Sequence, residues 1–223
     1  MRVLLICDDY WHPGQIVIDG INRLDKNDYQ FDIITNADDF SPDMLKAPTK
    51  DSRHSISNSF NYPAVLLCKM DEAASADRQP WKTEAVQNAF IDYVEGGGGL
   101  VAVHSAVVSG KKTDTLDKLI GCRFLSHPDA CTVTVKPVKP HPVTEEISLF
   151  CETDEHYKIE IIAPDADILL ASYSQDAVCA AGYVRTQGRG RICVLTPGHT
   201  QEVWQNPQFQ RLIANAFKWV SGI

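Results

Sequence analysis

Apolar residues follow two rhythms along this chain. RVLLIC (2–7) is a short, branched, apolar run that predicts a strand buried on both faces, as in a parallel sheet. QFDIIT (30–35), AVLLCK (64–69) and LVAVH (100–104) read as further strands. Between them the spacing becomes helical. QIVIDGINRL (15–24) has it, as does TDTLDKLIG (113–121), and WKTEAVQNAFIDYVEGG (81–97) puts Val86, Ala89, Phe90, Tyr93 and Val94 on one face. Strands alternating with helices predict βαβ units. The polar stretch DSRHSISNSFNYP (51–63) reads as a surface excursion.

After residue 122 the texture changes. CTVTVKPV (131–138), YKIEII (157–162), ADILLAS (166–172), CAAGYV (179–184) and RICVLT (191–196) follow with little helix between them. They predict further strands, some antiparallel, with QGRG (187–190) as a hairpin turn. GCRFLSHPD (121–129) reads as a loop. The chain closes on a helix that Asn206 caps and Pro207 opens, with Phe209, Leu212, Ile213, Ala216, Phe217 and Val220 as its apolar stripe. The expected fold is one α/β domain, its central sheet mostly parallel, with extra antiparallel strands in the C-terminal half.

The segment GGGGLVAVHSAVVSG (96–110) decides how the glycines are read. A phosphate-cradling loop follows a strand and opens a helix. Here a helix ends at Glu95, glycines follow and a strand begins, so the glycines stop a helix and turn the chain into the sheet. The strand then delivers His104.

Bulk properties narrow the classes of partner. The chain has 223 residues, 44% of them apolar and 22% charged, with a formal charge of -8 and a pI near 5.3. That balance argues against nucleic-acid and anionic-membrane surfaces, which need a clustered positive field. No run approaches the roughly 20 apolar residues of a membrane span. MRVLLICDDY turns acidic too quickly for a signal peptide, so a cytoplasmic protein is expected. Seven cysteines with no C-x-x-C pair sit mostly in apolar runs and read as buried reduced thiols.

In an open parallel sheet, ligands bind beyond the carboxyl ends of the strands. Strand one ends into Asp8, Asp9 and His12, strand three into Asp71 and Glu72, strand four into His104 and the last strand, through TPGHT, into His199. If those strands are parallel, these side chains meet at one edge, and Asp8 and His12 become candidates for substrate contact. VAVHSAVV has the outline of a strand-to-turn elbow with histidine at its apex. Histidine there can act as acid, base or metal ligand. His127, in the 121–129 loop, and the acidic pair Asp154 and Glu155 of TDEHY (153–157) are further candidates; His141, between two prolines, reads as a turn-former. No H-x-H or H-x-x-x-H pair signals zinc, so no cofactor is expected. A divalent ion such as Zn2+, held by His104, His127, His199 and Glu155 from distant loops, stays open. No G-x-S-x-G occurs, which weighs against a serine hydrolase.

Five motifs in order, GGGGLVAVHSA (96–106), GCRFLSHP (121–128), KPHPVTEEI (139–147), TDEHY (153–157) and GRGRICVLTPGHTQEVWQNPQFQRLIANAFKWV (188–220), resemble the ThuA-like (trehalose utilisation) family. That family lies within the class I glutamine-amidotransferase-like superfamily. The resemblance implies a flavodoxin-like three-layer sandwich. It places His104 where amidotransferases carry their nucleophilic cysteine, so glutamine hydrolysis through a thioester is not expected. It also implies a role in carbohydrate utilisation. The site residues it implies are His104, His127, Glu155 and His199, with Tyr157 retained and Trp204 as a sugar-stacking wall. Two functions follow as expectations. One is an enzyme using His/Glu acid–base chemistry on a sugar or keto-sugar, by isomerisation, elimination or hydrolysis. The other is a non-catalytic module binding a sugar or a partner. The expected partner is a small carbohydrate, with no nucleic acid and no membrane, and self-association is left open.

Overall fold

The computed structural model describes residues 1–47, 60–72, 80–108, 110 and 113–222. Most of the stretch read as a surface excursion lies outside them. The chain runs β1 (Arg2–Cys7), α1 (Gly14–Ile21), β2 (Gln30–Ile34), β3 (Ala64–Cys68), α2 (Glu84–Glu95), β4 (Gly99–Val103), α3 (Asp114–Ile120) and β5 (Cys122–Ser126). It continues through β6 (Cys131–Pro137), β7 (Phe150–Asp154), β8 (Lys158–Ile161), β9 (Asp167–Tyr173), β10 (Val178–Gln187), β11 (Gly190–Leu195), α4 (Gln201–Gln205) and α5 (Pro207–Ser221).

Nine strands form one sheet in the order β2-β1-β3-β4-β11-β10-β9-β6-β7, while β5 and β8 pair apart from it. From β2 to β11 every pairing is parallel. From β11 to β7 every pairing is antiparallel. The parallel block thus makes up the N-terminal half of the pairings, and the extra antiparallel strands of the C-terminal half extend the same sheet.

Alternation along β1 shows how the sheet holds its layers together. Val3, Leu5 and Cys7 enter one core with Val17 of α1, Trp204 of α4 and Phe209, Leu212 and Phe217 of α5. Leu4 and Ile6 enter the other with Phe90 and Tyr93 of α2 and Leu116 and Ile120 of α3. A strand buried on both faces needs this unbroken apolar run, because successive side chains point to opposite sides. Helices thus cover both faces of the sheet, the three-layer sandwich expected. Each large apolar side chain of the α5 stripe contributes about 1.5–3 kcal/mol by leaving water.

The glycine run stops α2 as read. Gly97 takes φ +110°, its N–H bonds Val94 O, and the N–H of Gly98 bonds Tyr93 O. This crossed pair of bonds satisfies the last carbonyls of the helix. Gly98 has a second reason to lack a side chain, since a Cβ there would lie 2.4 Å from the Tyr93 ring. At the far end, Asn206 caps α5 by accepting from Gln208 N–H, and Pro207 occupies the first turn. His141 is the turn-former expected, its Nδ1 accepting from Val143 N–H. The stretch read as a loop at 121–129 differs: Cys122–Ser126 is strand β5, paired antiparallel with β8. Its alternation was hidden by a short, half-exposed sequence.

Candidate functional site: a histidine–carboxylate cluster at the carboxyl edge

β1, β3, β4 and β11 all run the same way, so their carboxyl ends share one edge. Four successive antiparallel pairings separate β7 from β11, and an even number of reversals points β7 to that edge too. Asp154 ends it, and Glu155 follows.

His104 sits directly after β4 at φ +47°, a left-handed conformation uncommon outside glycine. That turn lifts the ring off the strand axis, as in an elbow. The ring is 2% exposed, and Nδ1 lies 2.8 Å from Thr196 O at the end of β11. A carbonyl only accepts, so Nδ1 carries the proton and Nε2 presents a lone pair. Burial pushes the His104 pKa down, against the pull of Glu155.

His12 arrives from the β1–α1 loop. Its Nδ1 is 2.6 Å from Asp9 Oδ1, and the same oxygen accepts the backbone N–H of Trp11 and His12 while Oδ2 accepts Met70 N–H. Burial alone would raise the Asp9 pKa; His12 and these backbone donors hold it below the usual range. Asp9 is therefore a carboxylate that fixes the His12 tautomer, leaving Nε2 toward the cluster. Tyr157 O–H lies 3.4 Å from that nitrogen.

Glu155 is the centre. Its Oε2 is 3.3 Å from His104 Nε2, 3.2 Å from His199 Nδ1 and 3.7 Å from His127 Nε2. Burial would raise its pKa, but the imidazoles of His104 and His199 hold it well below the usual range. Reciprocally, Glu155 raises His199. Asp154 beside it has a different task, its two oxygens accepting the N–H groups of Gly198 and His199. It pins the turn that carries His199.

The expected residues thus divide. His104, Glu155, His199 and His12 converge, and His127 stands at the rim, half-exposed, its ring stacked on Tyr157. Tyr157 also stacks on His104, with ring centroids 3.9 Å apart. Asp8 is not brought in: at φ +73° its Oδ1 accepts Gly14 N–H and shapes the approach to α1. Trp204 is 1% exposed, packed against Gly20 and Phe209 with its N–H on Gly198 O. It has no free face for a sugar ring. Asp9 and Lys69 play parts that the reading of single motifs did not assign. Lys69, buried at the end of β3, donates to the carbonyls of Cys7, Asp8 and Thr35 and ties three strand ends together. A lysine closing an apolar strand run was its signal.

Chemically, the edge offers two lone-pair nitrogens, a carboxylate and a further imidazole around one point. Such a set polarises an oxygen or moves a proton. A separate cleft of about 590 Å³, lined by Tyr93, Gly96 and Arg189 among others, reaches the amino ends of β4 and β11 and brings no comparable chemistry. Among the described residues, no helix is long and apolar enough to cross a membrane.

Comparison with known proteins agrees with this architecture. No curated protein matches the chain in sequence. A solved protein described as ThuA-like from Bacteroides uniformis ATCC 8492 superposes with a TM-score of 0.74 at 20% identity, over 99% of this chain and 91% of that one. Another from Parabacteroides merdae ATCC 43184 gives 0.72 at 18%, over 99% and 90%. The β-galactosidase of Rahnella sp. R3 gives 0.64 at 16%, but this chain spans only 30% of it. At these identities the likeness is one of fold. The model of the ThuA family, described as trehalose utilisation, matches residues 25–220, and the chain belongs to that family.

Proposed function

We propose that this protein is an enzyme of carbohydrate catabolism that acts on a sugar or keto-sugar derivative by polar chemistry at the His104–Glu155 edge. The observation that carries the reading is the convergence of His12, His104, Glu155 and His199, from four separate chain segments, on one point. Packing alone gives no reason to gather three imidazoles and a carboxylate there, since each buried polar group costs free energy unless satisfied. The family's association with trehalose utilisation supports a sugar as substrate.

In this reading His104 Nε2, which presents a lone pair, accepts a proton from a hydroxyl or an acidic C–H. Glu155 stays ionised and balances the charge that results, and His199 Nδ1 faces the substrate oxygen whose charge changes. His127, at the rim, exchanges protons with solvent. Proton transfer of this kind contributes about 10²–10⁴-fold, with positioning supplying more. The set serves isomerisation, elimination and hydrolysis alike. Trp11, 57% exposed and edge-on to Tyr10 at 4.8 Å, takes the stacking part that Trp204 cannot. It neighbours His12 in the same loop. Glutamine hydrolysis has no place here, because histidine stands at the elbow.

The test is turnover on a panel of disaccharides, their keto derivatives and glucosides, followed by product analysis, for wild type and Glu155→Gln. Turnover lost in the variant upholds the reading. Ligand binding without turnover in wild type replaces it with a binding module.

A further inference from the structure

We propose that His12 Nε2, His104 Nε2, Glu155 Oε2 and His199 Nδ1 bind one divalent first-row metal ion, with Zn2+ the best match. These four residues each offer one donor atom, and the four atoms lie within 4.8 Å of one another.

The first argument is an unmet need. His104 Nε2, Glu155 Oε2 and His199 Nδ1 are all buried and none has a hydrogen-bond partner. Glu155 Oε2 stands 3.2–3.3 Å from each of the two nitrogens, close but out of alignment to share protons. Atoms that aim past one another toward a common point suit a cation between them better than a bond among themselves. An orphaned buried polar atom is destabilising, and three in one place require a common cause.

The second argument is tautomeric. Thr196 O takes the Nδ1 proton of His104 and Asp9 takes that of His12. Both rings therefore point a lone pair inward. Two inward lone pairs facing a carboxylate oxygen repel unless positive charge lies between them. A histidine whose second nitrogen bonds a carboxylate or carbonyl is the usual support of a metal ligand.

The third argument is geometric. Zinc–nitrogen and zinc–oxygen bonds of about 2.0–2.1 Å in a tetrahedron put neighbouring donors roughly 3.3–3.4 Å apart. Glu155 Oε2 already has that spacing to two partners. The three rings lie with centroids 5.1–5.4 Å apart and planes inclined at 62–81°, like blades around an axis. Modest side-chain rotation closes the widest pair. Three imidazoles and one carboxylate favour zinc or its neighbours over Mg2+ or Ca2+. The set differs from the one held open on sequence grounds, because His12 replaces His127.

The inference does not depend on the substrate. With the ion bound, His104, Glu155 and His199 would hold it instead of facing the substrate directly. A substrate oxygen would have to join as a fifth ligand to be polarised, and His127, outside the donor set, would remain for proton transfer.

The experiment strips the full chain with chelator, desalts it and titrates it with ZnCl2 and separately CoCl2, by calorimetry and visible absorption. The expected result is one ion per chain, with the absorption of four-coordinate Co2+. Glu155→Gln and His199→Asn should each weaken uptake at least about tenfold, and Asp9→Asn roughly 10–100-fold, with near-ultraviolet circular dichroism confirming that each variant is folded. Uptake absent from wild type, or unchanged in the folded Glu155→Gln and His199→Asn proteins, overturns the proposal. Metal uptake without sugar turnover keeps the ion and removes the sugar reading. Turnover undiminished in stripped protein that takes up no ion does the reverse.

Discussion

His104 Nε2 and Glu155 Oε2 lie 3.3 Å apart without a hydrogen bond between them, although β4 and β7, the strands that lead into them, stand five places apart in the sheet. In a flat sheet that separation would be about 24 Å. The sheet closes the distance by curling. β10 pairs irregularly with β9 between Ala180 and Tyr183, the kind of defect that bends a strand. Thr200 Oγ1 donating to Thr153 O then ties β7 to the loop before α4.

The backbone of His104 can be tested apart from its ring. At φ +47°, asparagine is tolerated and a β-branched residue is strained. His104→Val should be less stable than His104→Asn by about 1–3 kcal/mol, with both inactive. Urea unfolding measures the difference; equal stability would mean that the elbow relaxes freely.

Asp154 is expected to act on position and not on chemistry. It accepts two backbone N–H groups, from Gly198 and His199, at about 1.5–3 kcal/mol each for a charged acceptor. Asp154→Ala should lose roughly 3 kcal/mol and weaken ligand binding through the freed His199 turn. A variant as stable as wild type would remove that account.

The two tryptophans separate cleanly. Trp204→Ala should cost about 3–5 kcal/mol as a core truncation, while the milder Trp204→Phe leaves ligand affinity unchanged. Trp11→Ala, at an exposed position, should weaken sugar binding severalfold with stability within about 0.5 kcal/mol. Thermal melts with and without ligand distinguish the pair, and the reverse pattern would return Trp204 to the site.

Burial pushes the Cys193 thiol from 9.0 up to about 12. The folded form keeps its proton where the unfolded chain loses it, so the contribution is complete below pH 9 and fades as pH rises toward 12. Wild type should therefore lose up to about 1.4 kcal/mol per pH unit more than Cys193→Ala between pH 9 and 11. Urea titrations at several pH values read the difference, and a constant offset across that range would contradict it. Exposed Cys151 should be alkylated first at pH 8, ahead of buried Cys7, Cys68, Cys122 and Cys193, as mass spectrometry of labelled peptides can show.

The sequence by itself determined the elements whose patterns are local. Apolar runs marked β1, β3, β4 and β11 because a strand covered on both faces has no polar position to offer. The Asn206-Pro207 start and six-residue stripe marked α5, and the order of helix, glycines and strand settled Gly96–Gly99 as a stop signal. It also named His12, His104 and His199, since strand ends in a parallel sheet collect at one edge, and Glu155 through the acidic TDEHY segment and the family resemblance. Tertiary structure alone decided the rest. Only the curl of the sheet brings Glu155 to His104. Only the packing of α4 against α1 turns Trp204 inward onto Gly20. Only the hydrogen bonds of Asp9 and Thr196 decide which nitrogens of His12 and His104 face the cluster. Apart from the Asp9–His12 bond, which spans three positions, each of these depends on contacts between residues tens to almost two hundred positions apart, and no local pattern encodes a distance of that kind.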